Sequence, residues 1–228
     1  MASVKLSKLI DMYGLQNCTP DIDIRGKKIT IPDINRPALQ LVGFFNHFDA
    51  ERVQVIGYVE YSYIEQMKTE EKVKVYDELM SKQFPCIIFC RGMEPDEEIL
   101  AAANKYGVPV LVTEKATSAF TAELVRWLNV ELAPCISIHG VLVDVYGEGV
   151  LITGESGMGK SEIAMELVRD GQVLIADDRV DVQKIHNNLY GHAPDLLRGM
   201  LEIRGIGIID VERMFGANKL AARNRIDL

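Results

Sequence analysis

The octet Gly154-Glu155-Ser156-Gly157-Met158-Gly159-Lys160-Ser161 matches G-x-x-x-x-G-K-[ST] at every fixed position. Its flanks have the pattern that such a loop requires. Val150-Leu151-Ile152-Thr153 is an apolar, β-forming run. From Ser161 to Asp170, residues Ile163, Ala164, Leu167 and Val168 share one helical face, and Gly171 stands at the C-cap. A strand, a glycine-rich loop and a helix in that order predict a phosphate cradle. Glycines let backbone N–H groups converge on phosphate oxygens, and the helix start adds a favourable dipole. Lys160 then reaches the β- and γ-phosphates, and the Ser161 hydroxyl is placed to ligate Mg²⁺. The whole loop, Gly154 to Ser161, is the expected nucleotide-phosphate site.

A second element follows at once. Gln172-Val173-Leu174-Ile175-Ala176 reads as a buried strand ending in Asp177-Asp178. In open α/β sheets ligands sit beyond the carboxyl ends of strands. One acid there can belong to the Mg²⁺ shell, and another can take a proton from an attacking hydroxyl. Successive strand residues face opposite ways, so the two acids are expected to divide these roles. The pair alone does not separate a kinase from an ATPase.

Upstream, Ile136 to Tyr146 is strongly β-forming, Gly147-Glu148-Gly149 is a turn, and Val150 to Thr153 returns as the second arm of a hairpin. His139 lies within the first arm. Read from the residues alone, it is a turn histidine between two strands.

The first half of the chain has a different texture. Val4 to Tyr13 predicts a short helix, Ile29 to Ile31 a strand and Val53 to Val59 a second strand. Lys68 to Lys82 predicts an exposed amphipathic helix, Cys86 to Cys90 a buried strand, Asp96 to Tyr106 a helix, Val110 to Val112 a strand and Ser118 to Leu132 a helix. Alternating strands and helices indicate an α/β domain over residues 1–130, with the catalytic domain at 131–228. No chemistry is evident in the first domain, and His47 reads as partly buried among aromatic residues.

Composition sets outer bounds. The 228 residues are 48% hydrophobic and 25% charged, which suits globular domains. The net charge of −8 argues against a general nucleic-acid binder. No apolar run reaches the roughly 18 residues of a membrane span, and the opening MASVKLSKLIDMYG predicts neither leader nor anchor. Cys86 and Cys90 read as small buried apolar side chains, not as a disulfide or a metal pair. Cys18 and Cys135 stand apart, and this usage suits a reducing cytoplasm.

Further stretches bring in a resemblance. Leu201-Glu202-Ile203-Arg204-Gly205-Ile206-Gly207-Ile208-Ile209-Asp210 resembles the signature of the bacterial HPr kinase/phosphorylase family. Ser137 to Asp144, Gly191-His192-Ala193-Pro194-Asp195-Leu196, the Gly154–Ser161 loop and Ala176-Asp177-Asp178 are similar to the same family, as are Asn35 to Leu39 and Glu51 to Gly57. The resemblance covers both domains in order. It implies a catalytic core like that of phosphoenolpyruvate carboxykinase. The activity it implies is phosphorylation of a regulatory serine of HPr, the phosphocarrier of the sugar phosphotransferase system, within carbon catabolite repression. ATP or pyrophosphate is the donor, and the reverse reaction is phosphorolysis. By position, the resemblance makes Lys160 and Asp178 catalytic, with Asp178 as acid and base. His139 matches a histidine the family counts as catalytic. Ser161 and Glu202 match Mg²⁺-site residues, to which Asp177 is added from its place at the strand end. The resemblance also implies a homohexamer and control by fructose bisphosphate and inorganic phosphate. Family members continue past Leu228, with a catalytic arginine, a dephosphorylation loop and helices that meet HPr and a neighbouring subunit. A cut-short catalytic domain is therefore expected. A P-loop small-molecule kinase and a non-catalytic nucleotide-binding regulator are the alternatives. Arg204 is expected to share a strand face with Glu202, and His186 and His192 to lie in loops.

Overall fold

Three short runs, Val53–Ile56, Ile87–Phe89 and Val110–Val112, apolar but for Gln54, are buried at every residue. Strands buried on both faces read as continuous β-branched and aromatic runs and are typical of parallel sheets covered by helices. The computed structural model, which describes residues 2–227, bears this out. It divides into two compact units, Met1–Leu132 and Ala133–Leu228.

The first unit runs β1 (Val4–Lys5), α1 (Leu6–Tyr13), β2 (Gln16–Asn17), β3 (Lys28–Ile29), β4 (Ile34–Asn35), β5 (Val53–Ile56), α2 (Tyr58–Gln66), α3 (Thr69–Ser81), β6 (Ile87–Phe89), α4 (Glu97–Tyr106), β7 (Val110–Val112) and α5 (Thr117–Glu131). Its main sheet has the order β2-β7-β6-β5-β4; the last four are mutually parallel and β2 is antiparallel to β7. Alternation sorts the strand residues onto two faces. Val53, Val55, Cys86, Ile88, Cys90 and Leu111 meet Leu6, Leu9, Phe120, Leu124 and Leu128 of α1 and α5. Ile56, Ile87, Phe89, Val110 and Val112 meet Ile64, Tyr76, Leu79, Met80, Ile99 and Ala103 of α2, α3 and α4.

The expected strand Val53 to Val59 stops at Ile56. Gly57 becomes the N-cap of α2, and its N–H donates to the Glu60 carboxylate at 3.0 Å. That capping contact outweighs the β preference of Tyr58 and Val59. The strand expected at Ile29 to Ile31 is likewise only the pair Lys28–Ile29, held against Val4–Lys5.

Cys86 and Cys90 are buried free thiols in the first core, as expected of small apolar side chains. Burial pushes both thiols up, Cys90 to about 11. A thiol-reactive probe at pH 8 should therefore modify exposed Cys135 first, and Cys86 and Cys90 only after unfolding. Rapid titration of all four cysteines in the native chain would contradict this packing.

The second unit is built around one long strand, β8 (Cys135–Val145). It continues with β9 (Glu148–Thr153), α6 (Lys160–Arg169), β10 (Val173–Ala176), β11 (Arg179–Ile185), β12 (Asn188–His192), β13 (Met200–Ile203), β14 (Gly207–Asp210), α7 (Val211–Phe215) and β15 (Asn224–Arg225). The expected hairpin is present: β8 and β9 pair antiparallel from Gly140↔Thr153 to Val145↔Glu148. Along its other edge β8 pairs first with β11, then with β10, so one strand templates two successive ones. The break between them is Asp177-Asp178. His192 ends β12 and so belongs to a strand, while His186 lies at the β11–β12 turn with φ +54°. Among the described residues no helix is long and apolar enough to cross a membrane.

Candidate active site

Gly140 brings the site together. On one side it is in register with Thr153, the last residue before the glycine-rich loop. On the other, its N–H donates to the Asp178 carbonyl at 3.1 Å. A Cβ at Gly140 would lie 2.7 Å from the Ile152 carbonyl oxygen, closer than backbone tolerates. Glycine here lets the three segments lie edge to edge.

The loop then turns into α6 through Gly159, an N-cap with φ +88° that favours glycine. Lys160 opens the helix and is buried. Its Nζ donates to the Gly154 and Glu155 carbonyls at 3.0 and 2.9 Å, so the loop wraps its own ammonium. The next residue, Ser161, donates from Oγ to Asp177 Oδ1 at 2.8 Å.

Asp177 is the buried tie of the site, 3% exposed. Its second oxygen accepts the Glu202 backbone N–H at 2.9 Å. One carboxylate thus joins the loop helix to the β13–β14 hairpin, and a buried charge requires such partners. Asp178, the next residue, lies between β10 and β11 with its side chain 62% exposed. Its φ of +62° departs from strand geometry, at a cost of about 1 kcal/mol for an aspartate. His139 sits against it, Nδ1 lying 3.0 Å from its carbonyl oxygen and 3.2 Å from Oδ1. His139 is therefore within strand β8 and not at a turn.

His139, Ser156, Gly157, Gly159, Lys160, Ser161, Asp177, Asp178, Glu202 and Arg204 line one cleft of about 420 Å³, with Glu162 at its side. Gly154, Glu155 and Met158 complete the loop without lining that cleft; the first two offer their carbonyls to Lys160. Met158 is exposed.

Arg204 is the residue that sequence reasoning misjudged. β13 ends at Ile203, so Arg204 lies in the hairpin turn and not on a strand face with Glu202. Its guanidinium lies across the cleft, 4.0 Å from where a Cβ on Gly157 would stand. Its place in the same decapeptide as Glu202 was the available signal. Arg179, next to Asp178, is engaged elsewhere: its Nε donates to Asp181 Oδ1 at 2.9 Å. Burial would raise the Asp181 carboxyl, but bonds from Ser137 and Arg179 hold it below its ordinary range.

The cleft offers hard oxygen donors from Ser161, Asp177 and Glu202. Among the described residues no cluster of three or more His, Cys, Asp and Glu forms a metal cage. One hydroxyl and two carboxylates beside a phosphate loop suit Mg²⁺, which binds through few protein ligands plus phosphate oxygens and water. The glycine-rich loop, the acid pair, Lys160 and Arg204 meet in one cleft, an arrangement that suits phosphoryl transfer.

Comparison with known proteins agrees over both units. The family described as HPr Serine kinase N terminus matches residues 4–128, and that described as HPr Serine kinase C-terminal domain matches residues 130–228. The chain is 54% identical to the HPr kinase/phosphorylase of Lachnoclostridium phytofermentans, over 100% of this chain and 74% of that protein. It is 46% identical to the HPr kinase/phosphorylase of Caldicellulosiruptor bescii, over 98% and 72%.

Proposed function

Since this chain belongs to the HPr kinase/phosphorylase family, we propose that its second unit moves a phosphoryl group between ATP or pyrophosphate and a serine hydroxyl of the phosphocarrier HPr. The observation that supports this most is the single cleft shared by Lys160, Ser161, Asp177, Asp178 and Glu202.

In the forward direction the loop amides and Lys160 hold the donor phosphates. The HPr serine oxygen bonds to the terminal phosphorus as the bond to the leaving phosphate breaks, and Asp178 accepts the serine proton. In the reverse direction a phosphate oxygen attacks the phosphoserine phosphorus, and pyrophosphate forms. Asp178 returns its proton to the departing serine oxygen, as microscopic reversibility demands. Ser161, Asp177 and Glu202 would hold Mg²⁺; when bound, the ion offsets charge on the phosphate oxygens. The tie from Asp177 to Ser161 and to the Glu202 backbone keeps those donors on one side of the cleft. Asp178, whose side chain is exposed, remains accessible to a docking serine.

The same reading includes a homohexamer, control by fructose bisphosphate and inorganic phosphate, and a cytoplasmic setting. Cysteines kept as free thiols fit that compartment.

The reverse direction offers a specific test. Phosphoserine-HPr incubated with Mg²⁺ and inorganic phosphate should give dephosphorylated HPr and pyrophosphate in equal amounts by ³¹P NMR. Release of inorganic phosphate without pyrophosphate would mean that water is the nucleophile and would overturn the phosphorolysis step.

A further inference from the structure

We propose that the first unit carries an anion site of its own at the carboxyl ends of β5 and β7, where the Thr117 hydroxyl, the Arg36 guanidinium and the opening amides of α2 and α5 hold a phosphate group.

Two stretches of the first unit that resemble the family, Asn35 to Leu39 and Glu51 to Gly57, contribute nothing to the catalytic cleft, and they meet here. The parallel strands β4 to β7 place their carboxyl ends on one edge. From that edge α2 packs on one face of the sheet and α5 on the other. A crevice where helices part in this way is where open α/β sheets take ligands. Both helices start on residues that have no side chain able to cap, Gly57 and Ala116, so their first amides are left to an outside acceptor.

Thr117 turns these helix starts into a site. It is 9% exposed, and its Oγ1 has no nitrogen or oxygen partner among the described residues. The adjacent Cys90 thiol offers only a weak contact. A buried hydroxyl left unpaired is unfavourable, and a ligand oxygen that pairs with it removes the cost. Gly57 keeps the approach open. A Cβ there would lie 2.9 Å from Arg36 Nη2 and 3.0 Å from Thr117 Oγ1, so guanidinium and hydroxyl face one point. The φ of Gly57 is −105°, which any residue adopts, so space and not conformation calls for glycine. Arg36 Nη2 donates to the Glu60 carboxylate at 2.6 Å, and Glu60 is 4% exposed. That pair is neutral and fixes the guanidinium, whose remaining N–H groups can serve a ligand. Arg91, exposed just beyond β6, adds positive charge, and the Glu114 carboxylate over Gly92 offsets part of it. Helix-start amides and a hydroxyl bind by hydrogen bonds, so a small net charge suffices. Donors that converge from several elements suit a tetrahedral oxyanion better than a planar carboxylate.

The test is a titration of the full chain with inorganic phosphate, followed by ¹H–¹⁵N correlation. The amides of Val59, Ser118 and Ala119 should move along one saturation curve, separate from the curve of the Gly154–Ser161 loop. Shifts confined to that loop would overturn the inference. Ethyl phosphate in place of the inorganic ion tells the sources apart. Saturation of the same amides means that the site takes the phosphoryl end of a larger molecule, and exclusion of the ester means that the free ion is the ligand. Thr117→Val keeps the side-chain shape and removes the hydroxyl. Without phosphate the variant should melt at or above the temperature of the unsubstituted chain, and its affinity for phosphate at these amides should fall roughly tenfold. Unchanged affinity, or a variant that is less stable before any phosphate is added, would show that the hydroxyl serves the fold and not an anion, and would overturn the assignment.

Discussion

Asp178→Asn should slow phosphoryl transfer to HPr by roughly a hundred- to ten-thousand-fold, the range for a lost general base, while Mg²⁺-ATP binds as tightly as before. The substitution is close to a pure test of chemistry. Asparagine has the same shape and tolerates the left-handed backbone at φ +62° at least as well as aspartate. Its main-chain carbonyl still accepts from Gly140 and His139. The side chain is 62% exposed, so no core packing is lost. What disappears is the oxygen that can accept the serine proton. Single-turnover transfer and equilibrium nucleotide binding, measured on the same preparation, check it. A parallel loss of both would assign Asp178 to donor binding.

Lys160→Met should also reduce transfer by about a hundred- to a thousandfold, the usual effect of removing one preorganised donor to developing charge. Here nucleotide affinity should fall as well, because the ammonium serves the bound phosphates before and during transfer. Methionine is chosen because Lys160 is only 8% exposed, and an unbranched apolar chain keeps the stem packed. The Gly154 and Glu155 carbonyls lose their donor, but both residues are exposed and water can replace it. The contrast between the two variants carries the argument: one loses rate alone, the other rate and affinity. Unchanged affinity in Lys160→Met would remove the lysine from the phosphate site.

The elements that could be read from the sequence were those with a strong local cause. The phosphate loop is four fixed residues between a strand and an amphipathic helix, and it folds as that pattern requires. Helix α3 and strand β7 follow from period and burial over one continuous segment. Helix α2 was hidden because Tyr58 and Val59 extend the apolar run of β5, whereas the deciding contact is Glu60 reaching back to Gly57. Asp177 and Asp178 do differ in burial, but they lie in a break between β10 and β11, and strand alternation could not foresee the positive φ of Asp178. The deeper limit is register. Nothing local to Gly140 says that Thr153 lies on one side of it and Asp178 on the other, yet that pairing makes one cleft of loop and acid. Arg204 shows the same limit, since its position in the cleft depends on where the β13–β14 hairpin turns.

The central claim is that the cleft transfers phosphate to a serine of HPr. Its most direct test is intact mass and fragment mapping of purified HPr after incubation with this chain and Mg²⁺-ATP, with Lys160→Met in parallel. The account predicts one added phosphate on a serine, with that product reduced at least about a hundredfold in the variant. ATP bound at the loop while HPr stays unmodified, or phosphate carried on a residue other than serine, would contradict it.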